Sequence, residues 1–261
     1  MNTILITGAA SGIGAATARL FHARGWTVGL LDIDHRPLAA LAAELGGVWH
    51  AELNVADAGA VGEALEDFCR LQGGRLRVLF NSAGVLRFGH FEEITLEEHA
   101  RILQINVLGL LHVTHAAFPY LKGTPGAQVI NMGSASGLYG TPHMVSYSAS
   151  KFAVRGLTEA LELEWRRHGI RVGDLMPPFV ATPMVDSQRF TPPALRRLGV
   201  NLRAEDIALA VWRQVERPRV HRPIHWLFRL MYATGQVSPP SVSRLSSALL
   251  AAGRVGTQAL P

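Results

Sequence analysis

The sequence predicts an α/β fold, a three-layer doubly wound parallel sheet with helices on both faces. Three observations carry that prediction. Strand-like and helix-like segments alternate through most of the chain, which implies parallel strands joined by right-handed helical crossovers. A glycine-rich turn joins the first strand directly to the first helix. The polar motifs fall where strands end, and ligands of such folds gather at the carboxyl ends of the strands. Composition agrees, since 261 residues, 48% of them hydrophobic and 17% charged, suit one globular domain with a large core.

Thr3 to Thr7 is an aliphatic and β-branched run that stops at Gly8, a buried strand followed at once by a turn. Ala9-Ala10-Ser11-Gly12-Ile13-Gly14 then leads into the helical spacing of Ala15 to Phe21. Glycines let this backbone turn tightly and approach a pyrophosphate, whose charge the N–H groups and dipole of the helix start favour. The second strand, Thr27 to Leu31, ends at Asp32, eighteen residues after Gly14. A carboxylate there accepts hydrogen bonds from an adenosine ribose and repels a 2′-phosphate, so NAD is the expected cofactor. Arg36, close by in sequence, keeps NADP as the alternative. A helix over Pro37 to Leu45, a strand over Val48 to Val55, a helix over 58–71 and a strand over Arg77 to Phe80 follow. The last of these runs into Asn81-Ser82-Ala83-Gly84. Leu96 to Tyr120 reads as one long helix interrupted near Pro119. It carries Asn106 among aliphatic residues, where a polar amide must find partners or cost about 1–3 kcal/mol. The fifth strand, Gln128 to Met132, ends at Gly133-Ser134, and the sixth is Ile170 to Met176.

Thirteen residues after Ser134 comes Tyr147-Ser148-Ala149-Ser150-Lys151. On a helix Tyr147 and Lys151 project from one face. An ammonium near a phenol favours the phenolate and lowers a pKa that is ordinarily about 10. The pair is a candidate proton shuttle, although this common spacing acquires that meaning only from its neighbours.

Those neighbours resemble the short-chain dehydrogenase/reductase family in its single-domain form. The resemblance rests on Thr7-Gly8-x3-Gly12-x-Gly14, Asn81-Ser82-Ala83-Gly84, Asn106, Ser134, Tyr147-x3-Lys151 and Pro177-Pro178-Phe179-Val180-Ala181-Thr182, in order, over about residues 3–215. Asn54, Ser82 and Pro178 stand where the family usually has Asp, Asn and Gly. The family's final strand and Asp-Gly-Gly close are not visible, and Arg219 to Trp226 is the candidate for a strand there. The resemblance implies a Rossmann-type domain and an oxidoreductase that interconverts an alcohol and a ketone. Tyr147 would take the alcohol proton as hydride passes to the nicotinamide, and Lys151 would lower the Tyr147 pKa and hold the nicotinamide ribose. Ser134 would bond the substrate oxygen, and Asn106 would hold a water that relays protons. Cofactor contacts are implied at Gly8, Ser11, Gly12, Ile13, Gly14, Asp32, Ile33, Asn54, Val55, Asn81, Ala83, Gly84, Tyr147, Lys151, Pro177, Val180 and Thr182. A homodimer or homotetramer is implied through the helices bearing Asn106 and Tyr147. Two other readings are an NADP-dependent carbonyl reductase and a non-catalytic nucleotide sensor, which would be expected to have lost Tyr147, Lys151 or Ser134.

Leu86, Phe88, Leu138, Tyr139, His143, Met144, Phe179 and Met184 are placed around the reacting carbon, an apolar set without a carboxylate-binding Arg, so a hydrophobic alcohol or ketone is expected. His143 reads as a loop residue at the pocket mouth rather than a base. Net charge is +5, yet acidic residues stop at Glu216 and six arginines follow, so the basicity belongs to the tail and not to a nucleic-acid-binding body. Residues 1–220 are expected to form the catalytic domain and 221–261 a basic amphipathic extension. Its apolar positions are Trp226, Leu227, Phe228, Leu230 and Met231, then Val242, Leu245, Leu249 and Ala252, on either side of Ser238-Pro239-Pro240. The extension would cap the pocket, pack on a partner subunit or lie on an anionic membrane. The single cysteine, Cys69, makes no intramolecular disulfide and sits in no metal-ligand spacing. With no signal-peptide pattern and no run long enough to span a bilayer, a cytoplasmic location is expected.

Overall fold

A computed structural model describes residues 2–200 and 202–235. The chain runs β1 (Thr3–Thr7), α1 (Gly12–Ala23), β2 (Thr27–Asp32), α2 (His35–Glu44), β3 (His50–Glu52), α3 (Ala58–Leu71), β4 (Val78–Asn81), α4 (Leu96–Leu103), α5 (Leu110–Leu121) and β5 (Gln128–Met132). It continues through α6 (Val145–Trp165), β6 (Arg171–Met176), β7 (Val180–Ala181), α7 (Pro183–Asp186), α8 (Pro193–Leu198), β8 (Leu202–Arg203), α9 (Ala204–Glu216), β9 (His221–Pro223) and α10 (Trp226–Gly235). Seven strands pair in the order β3-β2-β1-β4-β5-β6-β9. Every pairing in that sheet is parallel. The order reverses direction between β1 and β4, which opens a crevice at the carboxyl ends of those strands.

Both faces of the sheet are covered, so the central strands are apolar at nearly every position. Ile4, Ile6, Val28, Leu30 and Phe80 pack with Phe21 of α1 and with Ile207 and Val211 of α9. Leu5, Leu31, Leu79 and Val129 face the other layer, with Leu65 and Phe68 of α3, Val113 of α5 and Trp165 of α6. Cys69 lies in this second layer, where burial pushes its thiol up to about 12.

Three differences from the sequence reading have physical causes. β3 is three residues long rather than spanning Val48 to Val55, because it is an edge strand paired only with β2. The long helix does not break at Pro119, which lies inside α5 near its end. It is interrupted instead by a π-helical turn at Gln104–Gly109, where the wider turn carries Asn106. The edge beyond β6 is closed by β9, three residues inside the stretch Arg219 to Trp226. The expected second part of the tail, Ser238-Pro239-Pro240 with Val242, Leu245, Leu249 and Ala252, lies outside the described residues. Among the described residues one helical stretch, Leu96–Leu121, is long and apolar enough to cross a membrane. It packs on the sheet through Val113 and Ala117.

Glu162 secures the junction between α6 and β6. Its side chain is buried and accepts the Val172 N–H at 2.7 Å and the Arg171 Nε at 3.0 Å. Arg166 adds an ion pair at 3.3 Å. Removing the carboxylate strands a buried N–H and releases two half-exposed guanidiniums, so Glu162→Ala is expected to cost about 1–3 kcal/mol. A urea-denaturation midpoint equal to that of the unaltered protein would contradict this role.

Candidate active site

The turn after β1 is built from main-chain contacts that exclude side chains. Gly8 has φ +67°, and a Cβ on it would lie 2.8 Å from the Ala83 backbone. A Cβ on Gly14 would lie 2.0 Å from the Gly8 carbonyl oxygen. Thr7 Oγ1 accepts the N–H groups of Ser82 and Ala83, both at 3.1 Å, and so ties this turn to the one after β4. At the end of β2 the two oxygens of Asp32 accept the Ala10 N–H at 2.8 Å and the Asp34 N–H at 3.0 Å. The carboxylate is therefore held against the glycine turn.

Asn81 and Asn106 are both buried, and both serve as clamps. The Asn81 amide donates to Thr114 Oγ1 at 2.9 Å and Asn131 Oδ1 at 3.0 Å, and Asn131 donates in turn to Thr158 Oγ1 at 3.0 Å. This network joins β4 and β5 to α5 and α6. Asn106 accepts the Val85 N–H at 2.8 Å and donates to the Val85 carbonyl at 3.0 Å and to Ser150 Oγ at 3.1 Å. The π-helical turn thus holds the segment after Gly84 against α6.

Ser134 follows β5 by two residues, is buried, accepts the Ser136 N–H at 3.1 Å and stands beside the Tyr147 hydroxyl, whose ionisation it eases. Lys151, one turn further along α6, donates from Nζ to the Met132 carbonyl at 2.7 Å. Its Nζ lies 5.4 Å from the centre of the Tyr147 ring. Burial pushes the Tyr147 phenol up to about 12 against the opposing influence of Ser134. Burial also draws Lys151 down to about 8, and the charge of Asp174 works the other way. The expected lowering of the tyrosine by the lysine is not what governs the phenol here: desolvation does, and it favours the neutral form of both groups.

These elements enclose a cavity of about 670 Å³. The residues expected at a dinucleotide, from Gly8 to Thr182, line it with the exception of Asn81. Ser134, Tyr147 and Lys151 line it too, whereas Asn106 is enclosed behind them. Of the residues placed around the reacting carbon, Leu86, Tyr139, Met144, Phe179 and Met184 are on the wall. Phe88, Leu138 and His143 are not. Phe88 is buried edge-on to Phe179, and its N–H bonds Gln188. Leu138 packs with Met176 and Phe228, under α10. His143 has φ +67° and turns its ring to His90, 4.8 Å away, and Phe190, 5.0 Å away. Several wall residues were absent from the site expected from sequence, Asp34, Arg101, Met132 and Gln188, and Arg101 corrects the expectation that no arginine reaches the pocket. Only Asp34 carried a visible signal, a second acid two residues after Asp32. Met132 acts through its carbonyl, which no side-chain pattern reveals.

The short chain dehydrogenase family matches residues 2–192 of the chain. D-threitol dehydrogenase of Mycolicibacterium smegmatis is 36% identical over 184 residues, 69% of this chain and 70% of the relative. The 3-alpha-(or 20-beta)-hydroxysteroid dehydrogenase of Mycobacterium tuberculosis is 38% identical over 183 residues, 70% of each. A short chain dehydrogenase/reductase from Burkholderia phymatum, solved in complex with NAD, superposes with a TM-score of 0.81 at 26% identity, covering 99% of this chain and 98% of its own. The glycine turn, the Ser134–Tyr147–Lys151 arrangement and these matches together make the chain a member of the short-chain dehydrogenase/reductase family of oxidoreductases.

Proposed function

We propose that the chain is an NAD-dependent dehydrogenase that interconverts a hydrophobic secondary alcohol and its ketone, with Tyr147 as the general acid and base. The observation that carries this reading is that Ser134, Tyr147 and Lys151 all line the glycine-turn cavity, with the Lys151 ammonium anchored one turn along α6 from Tyr147. The residues present fit a dinucleotide, because the turn at Gly8 and Gly14 has no room for a Cβ and the start of α1 offers N–H groups to a pyrophosphate. Asp32 would hold the adenosine ribose. Its neighbours on the wall, Ile33, Asp34, Asn54 and Val55, bring no positive charge for a 2′-phosphate, which favours NAD. When bound, the nicotinamide supplies the site that accepts or gives hydride.

The chain's own residues handle the proton. Tyr147 takes it from the alcohol or returns it to the ketone, Ser134 orients the substrate oxygen, and the Lys151 charge favours the phenolate. Leu86, Tyr139, Met144, Phe179 and Met184 form a wall that suits an apolar substrate. Exposed Leu103 and Leu108 on the long helix, with Val145, Phe152 and Leu163 on α6, suit burial against a second copy. A monomeric mass in light scattering would exclude that pairing.

Tyr147→Phe is expected to cut turnover by roughly 10²–10⁴-fold or more while leaving NAD binding largely intact, measured by steady-state rates and by NADH fluorescence titration. An active Phe variant would sink the mechanism. Because the Tyr147 pKa is raised, the phenol keeps its proton at pH 7 and is ready to donate. Alcohol oxidation should therefore climb about tenfold per pH unit below the governing pKa, whereas ketone reduction stays level near neutrality and falls in alkali. A flat oxidation profile from pH 6 to 9 would count against it. Asp32→Ser removes a charged acceptor worth about 1.5–3 kcal/mol, at least tenfold in kcat/KM with NAD. The ratio of NAD to NADP use should narrow, and an unchanged ratio would move the selectivity elsewhere.

A further inference from the structure

Behind the reacting pair stands a second set of charges that the chemistry above leaves unused. Lys151, Arg155 and Glu159 follow at four-residue intervals along α6 and share one face. Asp174 of β6 is paired in register with His221 of β9. Asp174 is fully buried, and its two oxygens each lie 3.0 Å from His221 Nδ1. His221 Nε2 lies 2.9 Å from Glu159 Oε1, which also accepts from Arg155 Nε at 2.8 Å. Tyr232 of α10 faces the imidazole with ring centres 6.2 Å apart. A Cβ placed on Gly133 would sit 3.5 Å from Asp174 Cγ. Gly133 lies between Met132, whose carbonyl takes the Lys151 ammonium, and Ser134, which stands beside Tyr147 on the cavity wall. The buried carboxylate therefore packs directly beneath the turn that carries the site.

Carboxylates only accept hydrogen bonds, so an imidazole with one on each nitrogen satisfies both as an imidazolium. Burial pulls the imidazole down, but Asp174 and Glu159 outweigh it, with Arg155 opposing, and leave His221 above its usual value. Burial leaves the Asp174 carboxyl above its usual value, Glu159 adding to that rise, while the bond and charge of His221 and the charge of Arg155 oppose it and favour the carboxylate. The buried negative charge then acts on Lys151, raising its pKa against desolvation.

We propose that Asp174, kept ionised by His221, is a positioning residue that holds Lys151 in its ammonium form, so that the Glu159–His221–Asp174 array sets the pH at which the Tyr147–Lys151 pair works. The proposal rests on the catalytic reading of that pair given above. Its sign is definite: removing the Asp174 charge lowers the Lys151 pKa, leaves Tyr147 with a weaker cation beside it and moves the rising limb of alcohol oxidation to higher pH.

The near-isosteric Asp174→Asn is the test. The chain has two lysines, Lys122 and Lys151, and the exposed Lys122 serves as an internal reference. Trace acetic anhydride applied across pH, with the Lys151 peptide quantified by mass spectrometry, reads the ammonium directly and needs no turnover. Asp174→Asn should lower the Lys151 midpoint and move the oxidation limb to higher pH, with substrate KM little changed. Should that variant lose its near-ultraviolet circular dichroism, His221→Gln is read instead, because an unpaired Asp174 takes up a proton and gives the same downward shift. A Lys151 midpoint unchanged in the folded variant overturns the proposal, whatever the activity. A shifted midpoint in a protein that oxidises no alcohol sustains the charge array and defeats the catalytic reading.

Discussion

An ammonium in a protein interior persists only with an oxygen to hold, and for Lys151 that oxygen is the Met132 carbonyl at the end of β5. The bond crosses from α6 to the sheet and so fixes how the helix is rotated. Tyr147, one turn earlier, is brought within reach of Ser134, two residues past the same carbonyl. Ser150 donates to the Tyr147 carbonyl and accepts from Asn106, which extends the tie to the helix interruption and the segment after β4. The distance between phenol and hydroxyl is thus set by main-chain atoms of a strand buried on both faces.

Much of this was legible from residue types alone. Runs such as Ile4-Leu5-Ile6 are apolar on successive residues because both faces of a parallel strand are covered, and the glycines announce a turn without room for Cβ. What stayed hidden depends on groups that pattern reasoning does not weigh. β9 is three residues of mixed polarity whose pairing is decided by β6, not by its own periodicity. Asn81 looks like a ligand-facing amide and is spent on a polar network inside the domain. His143, Leu138 and Phe88 flank the wall in sequence, but loop curvature turns them towards His90, Phe228 and Phe179. Arg101 reaches the cavity from an exposed helix position, where an arginine usually means solvent.

The electrostatics of the pair also differ from what spacing implies. A cation four residues from a phenol ought to ease its ionisation, yet burial acts on both groups and favours the neutral phenol and the neutral amine together. Burial alone would discharge the lysine, so its charge depends on what compensates desolvation from outside the pair. Within the described residues that compensation comes from the Met132 carbonyl of β5 and the Asp174 charge of β6, not from α6, which is why the motif read in isolation understates what the sheet contributes.

The contact between Gly14 and Gly8 carries a consequence for how such a chain can vary. The atom in the way of a side chain at Gly14 is a carbonyl oxygen, and every amino acid has one. No second substitution elsewhere can shorten it, so a change at Gly14 has no suppressor within the turn. Lineages descending from this sequence can redraw the substrate wall residue by residue, but at this position they have only one allele.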